Sequence, residues 1–130
     1  MAGYVPVETV LIEYLSSEFP AALVLTETDD ELADTLPVVK VERIGGGDRV
    51  ITFDVARVDV EVFAATRFDA RDLSEQIRSN LRYVLPGKTI TGAVVGDVNT
   101  ISGPNSAPWE DTSIRRFVAT YEITIHCNPL

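Results

Sequence analysis

The residues that could act as catalysts are few and badly placed for it. His126 and Cys127 are the only histidine and the only cysteine. They are neighbours, and in a strand neighbours point to opposite faces, so they cannot form a nucleophile–base pair. No third group completes a triad with either. Cys127 falls on the apolar side of its strand and is expected in the core. His126 is expected at the solvent or at an interface. Asp59 and Glu61 share one side of a strand, and paired carboxylates can bind a metal or do acid–base work. Arg57 stands on that side too, and no histidine, asparagine or third carboxylate accompanies them locally. A charged sheet surface explains them better. Gly87-Lys88-Thr89 has the ending of a phosphate-binding loop, but Arg82 occupies the position that needs glycine, and the tripeptide follows a helix instead of preceding one. Gly45, Gly46 and Gly47 lack the spacing of a dinucleotide site and read as a hairpin turn. No metal, cofactor or enzymatic activity is expected.

Two charged constellations remain. Arg71, Glu75, Arg78 and Arg82 recur at spacings of four, three and four, which puts them on one side of a helix. Such a stripe is either a solvated face with weak pairs or an intersubunit face. Trp109 lies in a proline-rich stretch with Glu110, Asp111, Arg115 and Arg116 close by. It either folds back as a lid or inserts into a partner, since Trp and Arg are enriched at interface hot spots. Residues 26–35 form an acidic tract that includes Asp29, Asp30 and Glu31. The formal net charge is −9. An acidic surface repels phosphate backbones and argues against ordinary nucleic-acid binding.

The elements that carry these groups follow from periodicity. The most organised stretch is 57–85. Val58, Val60 and Val62 alternate with Arg57, Asp59 and Glu61, the period of a half-buried strand. Ala70, Leu73, Ile77, Leu81 and Val84 then mark an amphipathic helix, with Asp69 as its expected N-cap and Pro86-Gly87 as its end. A first helix is expected over 7–19, between Pro6 and Pro20. Strands are expected over 22–26, 38–44, 50–53 and 90–98, with a turn at 45–48. Residues 99–113 hold Gly103, Pro104, Asn105 and Pro108 and are expected as a long loop, the kind that is functional or disordered. A last strand runs over 116–127, with Phe117, Ala119, Tyr121, Ile123 and Ile125 on one side. The result is one α+β domain over residues 1–130, with two helices on one face of a mainly antiparallel mixed sheet of about five to six strands. A chain of this size buries enough surface to fold without disulfides or metal. No apolar run is long enough to span a bilayer, and the N-terminus lacks the features of a signal peptide, so a cytoplasmic setting and no membrane partner are expected.

These features together carry a resemblance that extends over nearly the whole chain. The glycines at 45–47, the Val58-Asp59-Val60 strand, the Ala70-Arg71-Asp72-Leu73 helix start, Gly103-Pro104, Trp109 and the Arg116 to Tyr121 strand resemble the tail terminator, or tail completion, proteins of long-tailed bacteriophages, especially those of actinobacteria. The resemblance implies a virion assembly protein made in the host cytoplasm. It implies a homohexameric ring that caps the tail tube, ends its elongation and offers a surface to the head–tail connector, with the tail tube protein and a neck protein as partners. The genome would pass through the ring without specific binding, so a negative lumen would help. Asp29, Asp30, Glu31, Asp59 and Glu61 are the candidates for it. Trp109, Glu110, Asp111, Arg115, Arg116, Arg71, Arg78 and Arg82 are the candidates for subunit or partner contacts. A head-closure or other neck protein is the nearest alternative. A non-viral adaptor acting through Trp109 and a small enzyme with metal at Asp59 and Glu61 are more distant ones.

Overall fold

The structure, a computed structural model, describes residues 4–50 and 53–127. Helix α1 (Val7–Glu18) buries Val7, Val10, Leu11, Tyr14 and Leu15 along one stripe. Its end is fixed by Phe19, whose amide donates to the Leu15 carbonyl at 2.8 Å, and Pro20 forbids another turn. Short strand β1 (Leu23–Leu25) follows, then a single 3-10 turn at Leu32–Asp34 within the acidic tract. Strands β2 (Val38–Val50) and β3 (Phe53–Ala64) are long antiparallel partners. Helix α2 (Arg67–Tyr83), strands β4 (Thr89–Ile90), β5 (Ala93–Ala107) and β6 (Arg115–Cys127) complete the chain.

The six strands form one sheet in the order β1-β2-β3-β6-β5-β4. β1 pairs parallel to β2 and every other neighbour is antiparallel, so the mixed α+β architecture expected from the sequence is present. Both helices lie on the same face. Val39, Val41, Val58, Val60, Val62, Ala119, Tyr121, Ile123 and Ile125 meet the apolar stripes of α1 and α2 in one continuous core. The period-two patterns of β3 and β6 create that face directly.

Several local expectations are corrected. The glycines at 45–47 are not a turn. They extend β2, and Gly45, Gly46 and Gly47 pair with Arg57, Ala56 and Val55 after a register shift at Arg43/Gly45. Gly46 takes φ +93°, and a Cβ there would stand 2.0 Å from the Val55 carbonyl oxygen. The glycine therefore permits a bulge, not a hairpin reversal. The strand expected over 50–53 includes residues 51 and 52, which lie outside the described residues. The strand expected over 90–98 is broken by a two-residue turn at Thr91 and Gly92, with φ 51° and 80°. These positive values suit the tight turns that match strand twist. The N-cap of α2 is Thr66, whose Oγ1 accepts from the Asp69 amide at 3.1 Å. Asp69 instead supplies negative charge to the first turn. Ser74 is buried on α2, whereas Val84 follows the helix and is 44% exposed.

The largest correction concerns 99–113. Most of it is strand: β5 runs to Ala107 along β6. Register shifts at Val95/Val98, Thr100/Ser102 and Ser102/Asn105 absorb residues that fit a regular ladder badly. Pro104 falls in the last gap. β4 covers only the first residues of β5, so this part of β5 is an open edge, where proline is tolerated.

Candidate functional site

The face of the sheet without helices carries Lys40 and Glu42 of β2, Arg57, Asp59 and Glu61 of β3, and Arg116 and Glu122 of β6. Glu61 is only 5% exposed. Its Oε1 accepts from Arg116 Nε at 2.6 Å and also meets Arg116 Nη2, and its Oε2 stands 3.4 Å from Lys40 Nζ. Asp59, on the same face, accepts from the Thr120 hydroxyl at 2.6 Å. The alternation of β3 brings the two carboxylates together as expected, but each is engaged by its neighbours. Glu61 in particular is a neutralised, buried group, not an exposed anion. Among the described residues no three His, Cys, Asp or Glu side chains stand together in a way that could hold a metal. Lys40 could have been read from the sequence, because it alternates with buried Val39 and Val41 and so had to face this side.

Trp109 folds back onto this face. Its ring meets Phe63 edge-on, with centroids 4.9 Å apart and planes at 73°. The Arg116 guanidinium lies over it at 5.4 Å. Arg116 therefore joins the Glu61 carboxylate to the tryptophan and fastens the segment after β5 to the sheet. Below lie Phe63, Val38, Leu32 and Ile114, a second small core on the helix-free face. The tryptophan is half-buried. Its open edge borders a depression of about 310 Å³ that it shares with Asp29, Asp30, Glu110, Asp111 and Ile114. The fold thus joins two acidic segments that are distant in sequence. Asp29 accepts from the Glu31 amide at 2.9 Å. Asp111 accepts from the Ser113 amide at 2.9 Å and hydroxyl at 2.6 Å, which holds its carboxyl below the usual range. Arg115 is exposed and donates to the Thr112 carbonyl.

The arginines of α2 divide. Arg71 is exposed, with its guanidinium 5.6 Å from the Phe68 ring. Arg78 and Arg82 turn toward β5. Arg82 donates to the Val98 carbonyl, and Arg78 stands against Gly103 and 3.9 Å from Glu75. These two line a groove with Asn99 and Thr100 of β5. The candidate contact residues therefore form two surfaces on opposite sides of the sheet, not one. His126 packs edge-on against Phe53 at 4.9 Å. The core position expected for the Cys127 side chain falls outside the described side chains.

One pair escaped the sequence reading. Arg43 and the 4% exposed Asp54 form a two-pronged ion pair on the helix face, at 2.6 and 2.8 Å. The Arg43 amide donates to Glu8 of α1 at 2.9 Å. The hydrogen bonds to Asp54 raise the Arg43 pKa above its ordinary value. The available signal was position: Arg43 continues the buried series Val39 and Val41, where a charge demands a partner.

The geometry defines a small α+β subunit whose charged groups are largely spent on ion pairs and surface patches. Comparisons with known proteins supply its class. Residues 3–128 match the family described as phage tail termination protein. No curated protein matches the chain. Among solved structures, a chain in the virion of native gene transfer agent (GTA) particle is similar at TM-score 0.61 and 12% identity, covering 86% of this chain and 84% of that one. At that identity the likeness concerns the fold. The chain belongs to the phage tail termination family and is a structural component of a phage tail. Among the described residues no helix is long and apolar enough to cross a membrane.

Proposed function

We propose that this protein stops tail-tube growth by closing a homohexameric ring over the tube tip, and that the ring's far side receives the head–tail connector. The family match over residues 3–128 carries this reading. Closed rings need a head-to-tail interface in which different surfaces of one subunit meet, and the two charged surfaces on opposite sides of the sheet supply different faces for it. The net charge of −9 suits a passage that DNA crosses without being held. Residues 1–130 act as one unit in this scheme. Polymerisation of the cognate tail tube protein with and without this protein tests it. Capped tubes should stop growing when the protein is added, and tubes that continue to lengthen at saturating protein would refute termination.

A further inference from the structure

The groove between α2 and β5 has an incomplete polar lining. It encloses about 430 Å³. Among the described residues Arg78 has Glu75 as its one ionic partner, at 3.9 Å, beyond hydrogen-bond reach. Thr100 Oγ1 and Tyr121 OH are the buried side-chain polar atoms that lack a hydrogen-bond partner among the described residues. Thr100 and Tyr121 are direct cross-strand partners, and Tyr121 is fully buried. Its hydroxyl lies within the electrostatic reach of Arg78 and Glu75 on the groove wall. Buried hydroxyls without partners are uncommon in native proteins, and Thr100, which carries one of the two, lines the same groove as Arg78 and Arg82. At the rim Tyr83 is 81% exposed. Arginine and tyrosine are the residue types that dominate interface energetics.

The same chain supplies a fitting occupant. Asp29, Asp30, Glu110 and Asp111 surround one depression beside Trp109, on the sheet face opposite α2. An anionic corner on one side and an arginine groove on the other are complementary only between copies, in the head-to-tail sense. We propose that the Asp30–Glu110 corner of one copy docks into the α2–β5 groove of the next, with Arg78 and Arg82 as its carboxylate receptors. The inference rests on the ring reading above and assigns Asp29 and Asp30 to the interface, not to the lumen.

Two variants test it: Arg78→Glu in the groove, and Asp30→Lys/Glu110→Lys in the corner. Each is compared with wild type by sedimentation and native mass spectrometry, or on tail tubes if wild type assembles only there. Each variant alone juxtaposes like charges and should associate about tenfold or more weakly than wild type. An equimolar mixture should recover assembly, because reversed grooves then meet reversed corners and native grooves meet native corners. Circular dichroism melts confirm that each variant is folded, and Arg78→Ala replaces Arg78→Glu if the latter is not. Wild-type association that both variants retain, or a mixture that does not recover, overturns the groove assignment and leaves the ring intact. A wild type that assembles neither in solution nor on tubes overturns both.

Discussion

Trp109 offers the sharpest test of how the helix-free face is built. Its replacement by alanine removes an edge-on contact to Phe63 at 4.9 Å, worth about 1 kcal/mol. It removes a guanidinium contact to Arg116 at 5.4 Å, worth about 0.5 kcal/mol at a site this exposed. It also uncovers Phe63, Ile114 and Leu32, which are 0%, 5% and 6% exposed. Lost apolar cover from a half-buried indole adds roughly 1.5 kcal/mol at about 25 cal/mol per Å². The expected loss is about 3 kcal/mol, toward the low end for a large aromatic truncation, and a fall in Tm of about 10 °C for a domain of this size. Urea unfolding followed by far-ultraviolet circular dichroism measures it, since the variant has lost the only tryptophan. Trp109→Phe keeps a ring over Phe63 and should lose about 1 kcal/mol. If Trp109→Ala unfolds within about 0.5 kcal/mol of wild type, the typical effect of an unremarkable surface change, the ring does not fasten this segment and the reasoning is refuted.

Other predictions follow from the same contacts. Asp54→Ala strands the Arg43 guanidinium, so urea unfolding should show a loss of about 3 kcal/mol, with Arg43→Leu/Asp54→Leu recovering much of it. Equal stability of the single and double variants would contradict the pairing. Gly46→Ala puts a Cβ against the Val55 carbonyl at 2.0 Å with φ +93°; thermal melts should fall far more than for Gly47→Ala, whose Cβ meets nothing within 4 Å. At alkaline pH, burial and the Glu18 carboxylate push the Tyr14 phenol up to about 12 from 10.0, and burial raises Tyr121 as well. Their contribution to stability is complete below the ordinary phenol pKa and is lost as pH rises toward the folded value. Ultraviolet titration should therefore show tyrosines that ionise late, in step with unfolding, and a single phase near pH 10 would refute their burial.

The parts legible in the sequence are those where pattern and packing agree. Val58, Val60 and Val62 read as strand because only one face is apolar, and all three are at most 1% exposed. The stripe of α2 was equally plain at Ala70, Ile77 and Leu81. What stayed hidden was set by partners distant in the chain. Residues 99–107 have turn composition, yet β6 supplies a ladder that holds them as strand through two register shifts. The glycines at 45–47 carry a turn signal that β3 overrides by pairing with each of them. Arg116, a candidate contact residue, pairs with Glu61, a candidate for the lumen, across 55 residues and also lies over Trp109, a proximity no local pattern encodes. The bowl shared by Asp29, Asp30, Glu110 and Asp111 has the same origin. The arginine stripe of α2 was legible as a stripe, but its division between Arg71 in solvent and Arg78 and Arg82 over β5 depends on where the helix sits.

The central claim, that this subunit ends the tail tube, is tested most directly by electron microscopy of assembled tails carrying a labelled copy of the protein. The account expects one ring of density at the head-proximal tip of each tube, present in wild type and missing when the protein is omitted. Label spread along the tube, or found only on the head side of the neck with tube tips unchanged by omission, would contradict it.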